Sequence, residues 1–288
     1  MDKLMLKALR QIQDQSGLLE VRPVSGGDIN RACQVKTGKR QYFVKMNQPV
    51  SQTFFQKEIN GLTAIAQTHT LPVPQIYGTY YDPETKSALL MLEWVQGNKT
   101  ANTNPQLGRG LARLHQVKGQ AFGFKEDNFI GSLPQHNPWT SDWITFYHDQ
   151  RLKVQYELGI KRQTILGKRR KKLEKLIDRL DQWLPLNAEP SLIHGDLWGG
   201  NWIAGKGGRP YLIDPAVNYA HYELEIAFTE LFGGFSPSFY DCYQEVQPLD
   251  KNYHERKPLY QLYYLLVHLN LFGESYGSSV DRVLNTYV

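Results

Sequence analysis

Cysteine is nearly absent from this chain of 288 residues: Cys33 and Cys242 are the only two. Two thiols cannot build a disulfide framework, and no Cys-x-x-Cys or His-Glu-x-x-His spacing offers a zinc site. The compartment this implies is a reducing, cytoplasmic one. Long apolar runs are missing as well. The most apolar stretch, residues 259–272, is broken by Gln261, His268 and Asn270 and is too short for a membrane span. Residues 1–15 scatter Asp2, Lys3, Lys7, Arg10 and Asp14 among their apolar positions, so they lack the unbroken core of a signal peptide. A general excess of charge is missing too. The net charge is +5 and the pI about 9.0, but residues 160–182 alone carry nine Lys or Arg against three acids. That stretch amounts to +6, so the rest of the chain comes to −1. The basicity belongs to one segment, which reads as a solvated helix face, or a docking surface for acidic proteins. It lacks the interleaved aromatics of a nucleic-acid groove, and neither a nucleic acid nor a membrane is expected as a partner.

What is present is a globular composition, 41% hydrophobic and 21% charged. Residues 18–24 read as a strand, followed by a glycine turn at residues 25–30. Residues 35–44 straddle Thr37-Gly38-Lys39 and predict a hairpin. Residues 51–67 space Phe54, Phe55, Ile59, Leu62 and Ile65 at helical intervals behind Ser51 as a candidate cap. Residues 76–81 and 87–95 are two further strands. After Gln96-Gly97-Asn98 the pattern becomes helical: around Leu107, Leu111 and Leu114, over 143–156, over 167–183, and from 223 onward. Short extended pieces lie at 192–194, 201–204 and 211–213. The expectation is an α+β chain of two lobes with a ligand cleft between them. Residues 1–95 would form the first lobe, 96–98 the hinge and 99–288 the second.

The chemistry concentrates in His194-Gly195-Asp196-Leu197-Trp198-Gly199-Gly200-Asn201 and in Tyr211-Leu212-Ile213-Asp214. Two carboxylates and an amide beside short apolar strands are what phosphoryl transfer needs. One Asp takes the proton of an attacking hydroxyl, while Asn and a second Asp hold Mg²⁺ on nucleotide phosphates. The interval of four residues between Asp and Asn is that of a kinase catalytic loop. Upstream, Gly26-Gly27 follows a strand, as a phosphate-cradling turn does. Lys45 is a lone polar residue in the strand Tyr42-Phe43-Val44-Lys45-Met46, and Glu58 on the next helix is its expected ion-pair partner. Taken singly, each has a plain structural explanation: a turn, a solvated strand lysine, a surface glutamate. Their order in the chain is what points to a kinase. A near Walker A string at residues 200–207 places Gly207 where Ser or Thr should meet Mg²⁺ and is followed by a strand, so it reads as a hairpin turn. His268 with Asn270 could line an acceptor pocket, though a satisfied buried polar pair explains them as well. Trp198 has the better claim on substrate, since its flat face could pack on a sugar or amine, with core packing as the alternative.

With these residues in hand, the chain resembles the fructosamine kinase (ketosamine-3-kinase) family. This is a small-molecule branch of the protein-kinase-like fold shared with aminoglycoside phosphotransferases and choline kinases. The likeness runs from about Gly17 nearly to the C-terminus. It rests on the H-G-D-L-W-x-G-N run at 194–201, Asp214-Pro215-Ala216, Glu223-Leu224-Glu225-Ile226-Ala227, Phe232-Gly233-Gly234-Phe235 and Tyr260-Gln261-Leu262. It implies a bilobal fold, with a five-stranded antiparallel sheet plus helix in the N-terminal lobe and a mainly helical C-terminal lobe. It further implies Asp196 as catalytic base, Asn201 and Asp214 as Mg²⁺ ligands, and Lys45 with Glu58 and Gly26-Gly27 at the ATP phosphates. Glu93, Trp94 and Val95 would meet the adenine. The reaction would be transfer of phosphate from ATP to the 3-hydroxyl of a ketosamine, on a small molecule or a glycated protein. The unstable product then loses its amine, hence deglycation. Two positions depart from the common pattern. Asp28 stands in the glycine turn where relatives often carry Cys or Ser, and Asp-Pro-Ala replaces Asp-Phe-Gly, which removes the Phe that switches protein kinases. An aminoglycoside or choline kinase is the alternative; such sites need clustered acids, for which Glu223, Glu225 and Glu230 are the candidates.

Overall fold

The computed structural model describes residues 2–24 and 30–288. They divide into two compact units, one of residues 1–103 with 203–214, the other of residues 104–202 with 215–288.

The first unit is built on a five-stranded antiparallel sheet. Helix α1 (Asp2–Gln11) leads into β1 (Leu18–Val24), β2 (Arg31–Thr37) and β3 (Gln41–Asn47). Helix α2 (Gln56–Gln67) follows, then β4 (Ile76–Asp82) and β5 (Ser87–Glu93). The strand order is β1-β2-β3-β5-β4, so the five strands with one helix after the third stand as the sequence predicts. In β5 every residue from Ser87 to Leu92 is buried, because both faces are covered. Leu89 and Met91 face Met5, Ala8 and Leu9 of α1 together with Val35 and Val44. Ala88, Leu90 and Leu92 alternate to the other face, against Phe55 and Leu62 of the α2 segment. Helix α1 was legible only as a non-signal segment; its apolar positions close one face of the sheet. Ser51 does not cap α2. Its hydroxyl meets that of Thr53, and three-residue turns (Phe54 N–H to Ser51 O, Gln56 N–H to Thr53 O) delay the helix to Gln56.

Beyond this the chain continues with α3 (Thr103–His115), the small pair β6 (Asn128–Ile130) and β7 (Leu133–Gln135), and α4 (Trp143–Tyr147). The helix expected over 143–156 is interrupted by a wide π turn at His148–Leu152 before α5 (Lys153–Lys161). That turn sends the fully buried Arg151 inward, where it donates to His136 O and Asn137 Oδ1. Helix α6 (Gly167–Ile177) stops six residues earlier than predicted, and a 3-10 turn, Leu180–Gln182, follows. Then come β8 (Ser191–Ile193), the hairpin of β9 (Trp202–Ala204) and β10 (Pro210–Leu212), and β11 (Asn218–Ala220), which pairs antiparallel with β8. Helices α7 (Tyr222–Thr229), α8 (Pro237–Gln244), α9 (Tyr253–Phe272) and α10 (Gly277–Tyr287) complete the second unit. The apolar run 259–272 lies inside α9. Among the described residues no helix is long and apolar enough to cross a membrane.

Segment 203–214 packs with the first unit through backbone contacts. Leu212 N–H donates to Pro72 O and the Thr103 hydroxyl to Gly208 O. Gly97 lies so close to Gly205 that a Cβ there would stand 2.0 Å from the Gly205 carbonyl oxygen. The string at 200–207 is thus a hairpin turn, as its lack of a following helix indicates.

Candidate active site

In the first unit, Lys45 on β3, Glu58 in the first turn of α2 and Asp214 just after β10 meet in one ion triad. Lys45 Nζ is 2.8 Å from Glu58 Oε1 and also donates to Asp214 Oδ1. Lys45 is 6% exposed. Burial opposes its charge, but the Glu58 and Asp214 carboxylates outweigh it and raise its pKa, so the ammonium persists. Glu58 is held above its ordinary value, by burial first and then by the like charge of Asp214, with Lys45 opposing. Asp214 takes a left-handed backbone, φ 55°. For a residue with a Cβ that is an unfavourable conformation, of the kind that concentrates at working sites.

Glu93 ends β5, where it is tied to Gln75 by a backbone bond of 2.8 Å and a side-chain bond of 3.1 Å. Trp94 packs on Phe43, with its indole Nε1 buried and unbonded among the described residues. Val95 lies beside Gly205. The turn carrying Gly26, Gly27 and Asp28 lies outside the described residues.

In the second unit, the 194–201 loop leaves β8 and is fixed through the backbone of His194, Gly195 and Asp196. Glu225, fully buried in α7, accepts from Gly195 N–H at 2.6 Å and from His194 N–H at 2.9 Å. The other contacts are Ala216 N–H to His194 O and Tyr264 OH to Gly195 O. Gly195 has φ 86°, and a Cβ there would stand 2.1 Å from Ala216 O, so only glycine fits. Asn201 Nδ2 donates to Asp196 at both its backbone oxygen (2.7 Å) and Oδ2 (3.1 Å). The loop therefore presents Asp196 with its carboxylate oriented by Asn201.

Glu225 was legible only as a candidate acid for cationic substrates; its work is internal. Burial disfavours its charge, yet bonds from His115 and the loop hold its pKa below the ordinary value. His115 Nε2 meets Glu225 Oε2 at 2.9 Å and His115 Nδ1 meets Tyr243 OH at 2.7 Å. Burial pushes the Tyr243 hydroxyl far up, so it keeps its proton. His115 thus bridges Tyr243 and Glu225 inside the buried cluster. The sequence signal was a glutamate in an otherwise apolar helical run, Leu224-Glu225-Ile226-Ala227. The other two acids are also committed: Glu223 to Arg256 by two bonds of 2.9 Å, and Glu230 to Lys257 at 2.7 Å.

Trp198 is on the surface, 44% exposed, with its ring folded over Gly200. His268 is half-buried, its Nδ1 bonded to Tyr264 O at 2.8 Å. Asn270 is buried and donates twice to Gln155, so it belongs to the core and not to a pocket.

Among the described residues no cluster of three or more His, Cys, Asp or Glu gathers as a metal site. Mg²⁺ asks for less when phosphate oxygens complete its shell: one or two hard oxygen donors from the protein. Asn201 and Asp214 each fit that requirement. The Asn201 amide nitrogen is committed to Asp196, which leaves Oδ1 as its donor atom.

A strand lysine paired with a helix glutamate, and a loop Asp–Asn pair beyond it, define a kinase-like phosphotransferase. The fructosamine kinase family model matches residues 1–288, and the chain belongs to that family. A protein of Enterococcus faecium named probable ketoamine kinase is 41% identical over 270 residues, 93% of this chain and 95% of its own. The chloroplastic protein-ribulosamine 3-kinase of Arabidopsis thaliana is 34% identical over 276 residues, 94% of this chain and 83% of its own. A crystal structure of a candidate fructosamine-3-kinase from Haemophilus somnus superposes with TM-score 0.87 at 27% identity, over 99% of this chain and 98% of that one. The aminoglycoside phosphotransferase APH(4)-Ia, at 16% identity and TM-score 0.63 over the whole of both chains, shares the fold.

Proposed function

We propose that this kinase transfers the γ-phosphoryl group of ATP to the 3-hydroxyl of a ketosamine, a ribulose or fructose adduct of an amine. The observation that carries the substrate class is the match, over more than nine-tenths of the chain, to proteins named ketoamine and ribulosamine kinases. The His194–Asn201 run stands intact on its bonded loop. Asp196 accepts the proton of the acceptor hydroxyl, and Asn201 holds that carboxylate in the orientation the attack requires. Lys45, its charge secured by Glu58, binds phosphate oxygens, and the backbone at Glu93, Trp94 and Val95 takes the adenine. Gly26 and Gly27 are assigned to the phosphates on sequence alone. Mg²⁺ held by Asn201 and Asp214 would neutralise charge on the phosphates. Trp198, exposed beside Asp196, offers a flat face to the sugar. The two free cysteines suit a cytoplasmic setting.

The alternative, a kinase of aminoglycosides or choline, loses its acids, since Glu223, Glu225 and Glu230 are all bonded internally. The test is ATP consumption with ribulosyl-lysine and fructosyl-lysine against kanamycin and choline, with the phosphorylated carbon located by NMR. Turnover of the ketosamines at carbon 3 is expected. Asp196→Asn should lower kcat by about 10²- to 10⁴-fold with nucleotide affinity nearly intact. Turnover confined to kanamycin or choline, or wild-type kcat in the variant, would overturn the reading.

A further inference from the structure

One surface of the second unit is aromatic beyond any need of the core. Phe232 is 42% and Phe272 52% exposed, and both pack on His268, with ring centroids 4.7 and 5.6 Å away. Tyr276 closes the group at 5.0 Å from His268 and 6.1 Å from Phe272. The rings are not parallel: the interplanar angles run from 41° for Phe272–Tyr276 to 86° for Phe232–Tyr276. A flat sugar face wants one stacking platform, whereas a cation wants several π faces turned at angles to one another.

This group adjoins the catalytic loop. Phe232 runs into Gly233-Gly234, and Gly234 approaches Gly199 so closely that a Cβ on it would stand 2.7 Å from Gly199 Cα. The far wall is held firmly. Arg169 of α6 donates to both Glu274 oxygens, at 2.9 and 2.7 Å, and to Asp281 at 2.8 Å, which fixes the turn that carries Tyr276. The same bonds offset the Glu274 charge. Burial lowers the pKa of His268, only partly countered by its bond to the Tyr264 carbonyl, so the ring is neutral near pH 7 and does not repel a cation.

We infer that Phe232, Phe272 and Tyr276, gathered on His268, form the subsite for the amine end of the substrate: the protonated secondary nitrogen and the first carbons of its alkyl stem. The inference rests on the ketosamine reading above, because a ketosamine carries that ammonium one carbon from its ketose. The aromatic faces then select a ketose bearing a charged amine over the same ketose bearing an ether.

The experiment measures competition against ribulosyl-lysine by two probes, ribulosyl-hexylamine and 1-O-hexyl-ribulose, in wild type, Phe272→Ala, Phe272→Leu and Tyr276→Ala. Wild type is expected to prefer the amine. Each variant should weaken the amine by about 3- to 30-fold and the ether far less. Phe272→Leu is the decisive arm, because it keeps apolar bulk and removes the π face. Equal weakening of both probes, a leucine variant that behaves as wild type, or wild type blind to the difference would overturn the inference while leaving the kinase reading standing. A wild-type enzyme that phosphorylates no ketosamine would overturn both. Self-association of wild type that Phe272→Ala abolishes, with amine affinity unmoved, would make the patch an interface between copies and also overturn it.

Discussion

Glu225 carries a full negative charge with none of its surface exposed, which is tolerable only because three donors surround it: the His194 and Gly195 amides and His115 Nε2. It holds the 194–201 loop in place. Glu225→Ala leaves all three donors unsatisfied, and a loss of about 3–5 kcal/mol in urea unfolding is expected. Glu225→Gln keeps one acceptor oxygen but turns an N–H toward the other donors, so a smaller loss, about 1–3 kcal/mol, should accompany it. In the glutamine variant kcat should fall while nucleotide affinity holds, because the loop orients Asp196 and not the nucleotide. A variant with wild-type stability and kcat would refute the role. The Lys45–Glu58 ion pair was legible from the order of a strand lysine and a following helix glutamate, whereas the contact of Lys45 with Asp214 was not. The internal role of Glu225, which stood only among the candidate acids of the alternative reading, was not legible, because a sequence shows that a residue is charged, not what it faces.

At the scale of elements, strand and helix existence followed from periodicity, and the misses are instructive. Ser51 looked like a cap because its residue type suits one, but the turns ahead of α2 use backbone bonds instead. The π turn between α4 and α5 is invisible to a 3.6-residue period, because it exists to bury Arg151. Strands β6, β7 and β11 are three residues long and carry Asn or Gln in place of the apolar runs that marked the equally short β8, β9 and β10. The return of 203–214 to the first unit depends on close backbone approach at two glycines. Gly97→Ala should therefore cost about 1–3 kcal/mol, since its Cβ would meet Gly205 backbone that has no side chain to move aside. Gly207→Asn is the control: φ is 69° and nothing lies within 4 Å of a new Cβ, so asparagine, which tolerates that region, should cost less. Thermal unfolding of the two variants distinguishes them; equal losses would show that the approach at Gly97 is not what matters.

For the whole molecule, one part of the pH dependence of stability comes from His221, at the N-terminus of α7. His221 is 6% exposed, and its Nδ1 lies 2.7 Å from the Tyr260 hydroxyl. Burial, aided by the charges of Arg256 and Lys118 and opposed by Asp250, pushes its pKa down to about 3. An unfolded histidine titrates near 6.5. The folded value being the lower, the stability from neutral His221 is complete above about pH 6.5 and drains as pH falls toward 3. By pH 5 the loss attributable to it is about 2 kcal/mol. His221→Gln should reduce the stability difference between pH 7.5 and pH 5 by about that amount in denaturant unfolding; an identical pH dependence would contradict the assignment. The net charge of +5 also acquires a definite meaning. Within the basic segment, Arg169 binds Glu274 and Asp281, Arg170 binds Glu174, and Lys172 reaches Asn285 and Val288 O. Two of its nine basic residues, Arg169 and Lys172, thus fasten α6 to α10 and to the turn before it.

By itself the sequence determined the sheet, the principal helices, the kinase-type order of Lys45, Glu58, Asp196, Asn201 and Asp214, and the family. These depend on local period and on residue type at fixed spacing, which one chain records directly. Tertiary structure alone decided that Glu225 and His115 support the loop, that segment 203–214 joins the first unit, and that Phe232, Phe272 and Tyr276 assemble around His268. Each of those depends on contacts between residues far apart in the chain, and the identity of a distant neighbour is not written at either position.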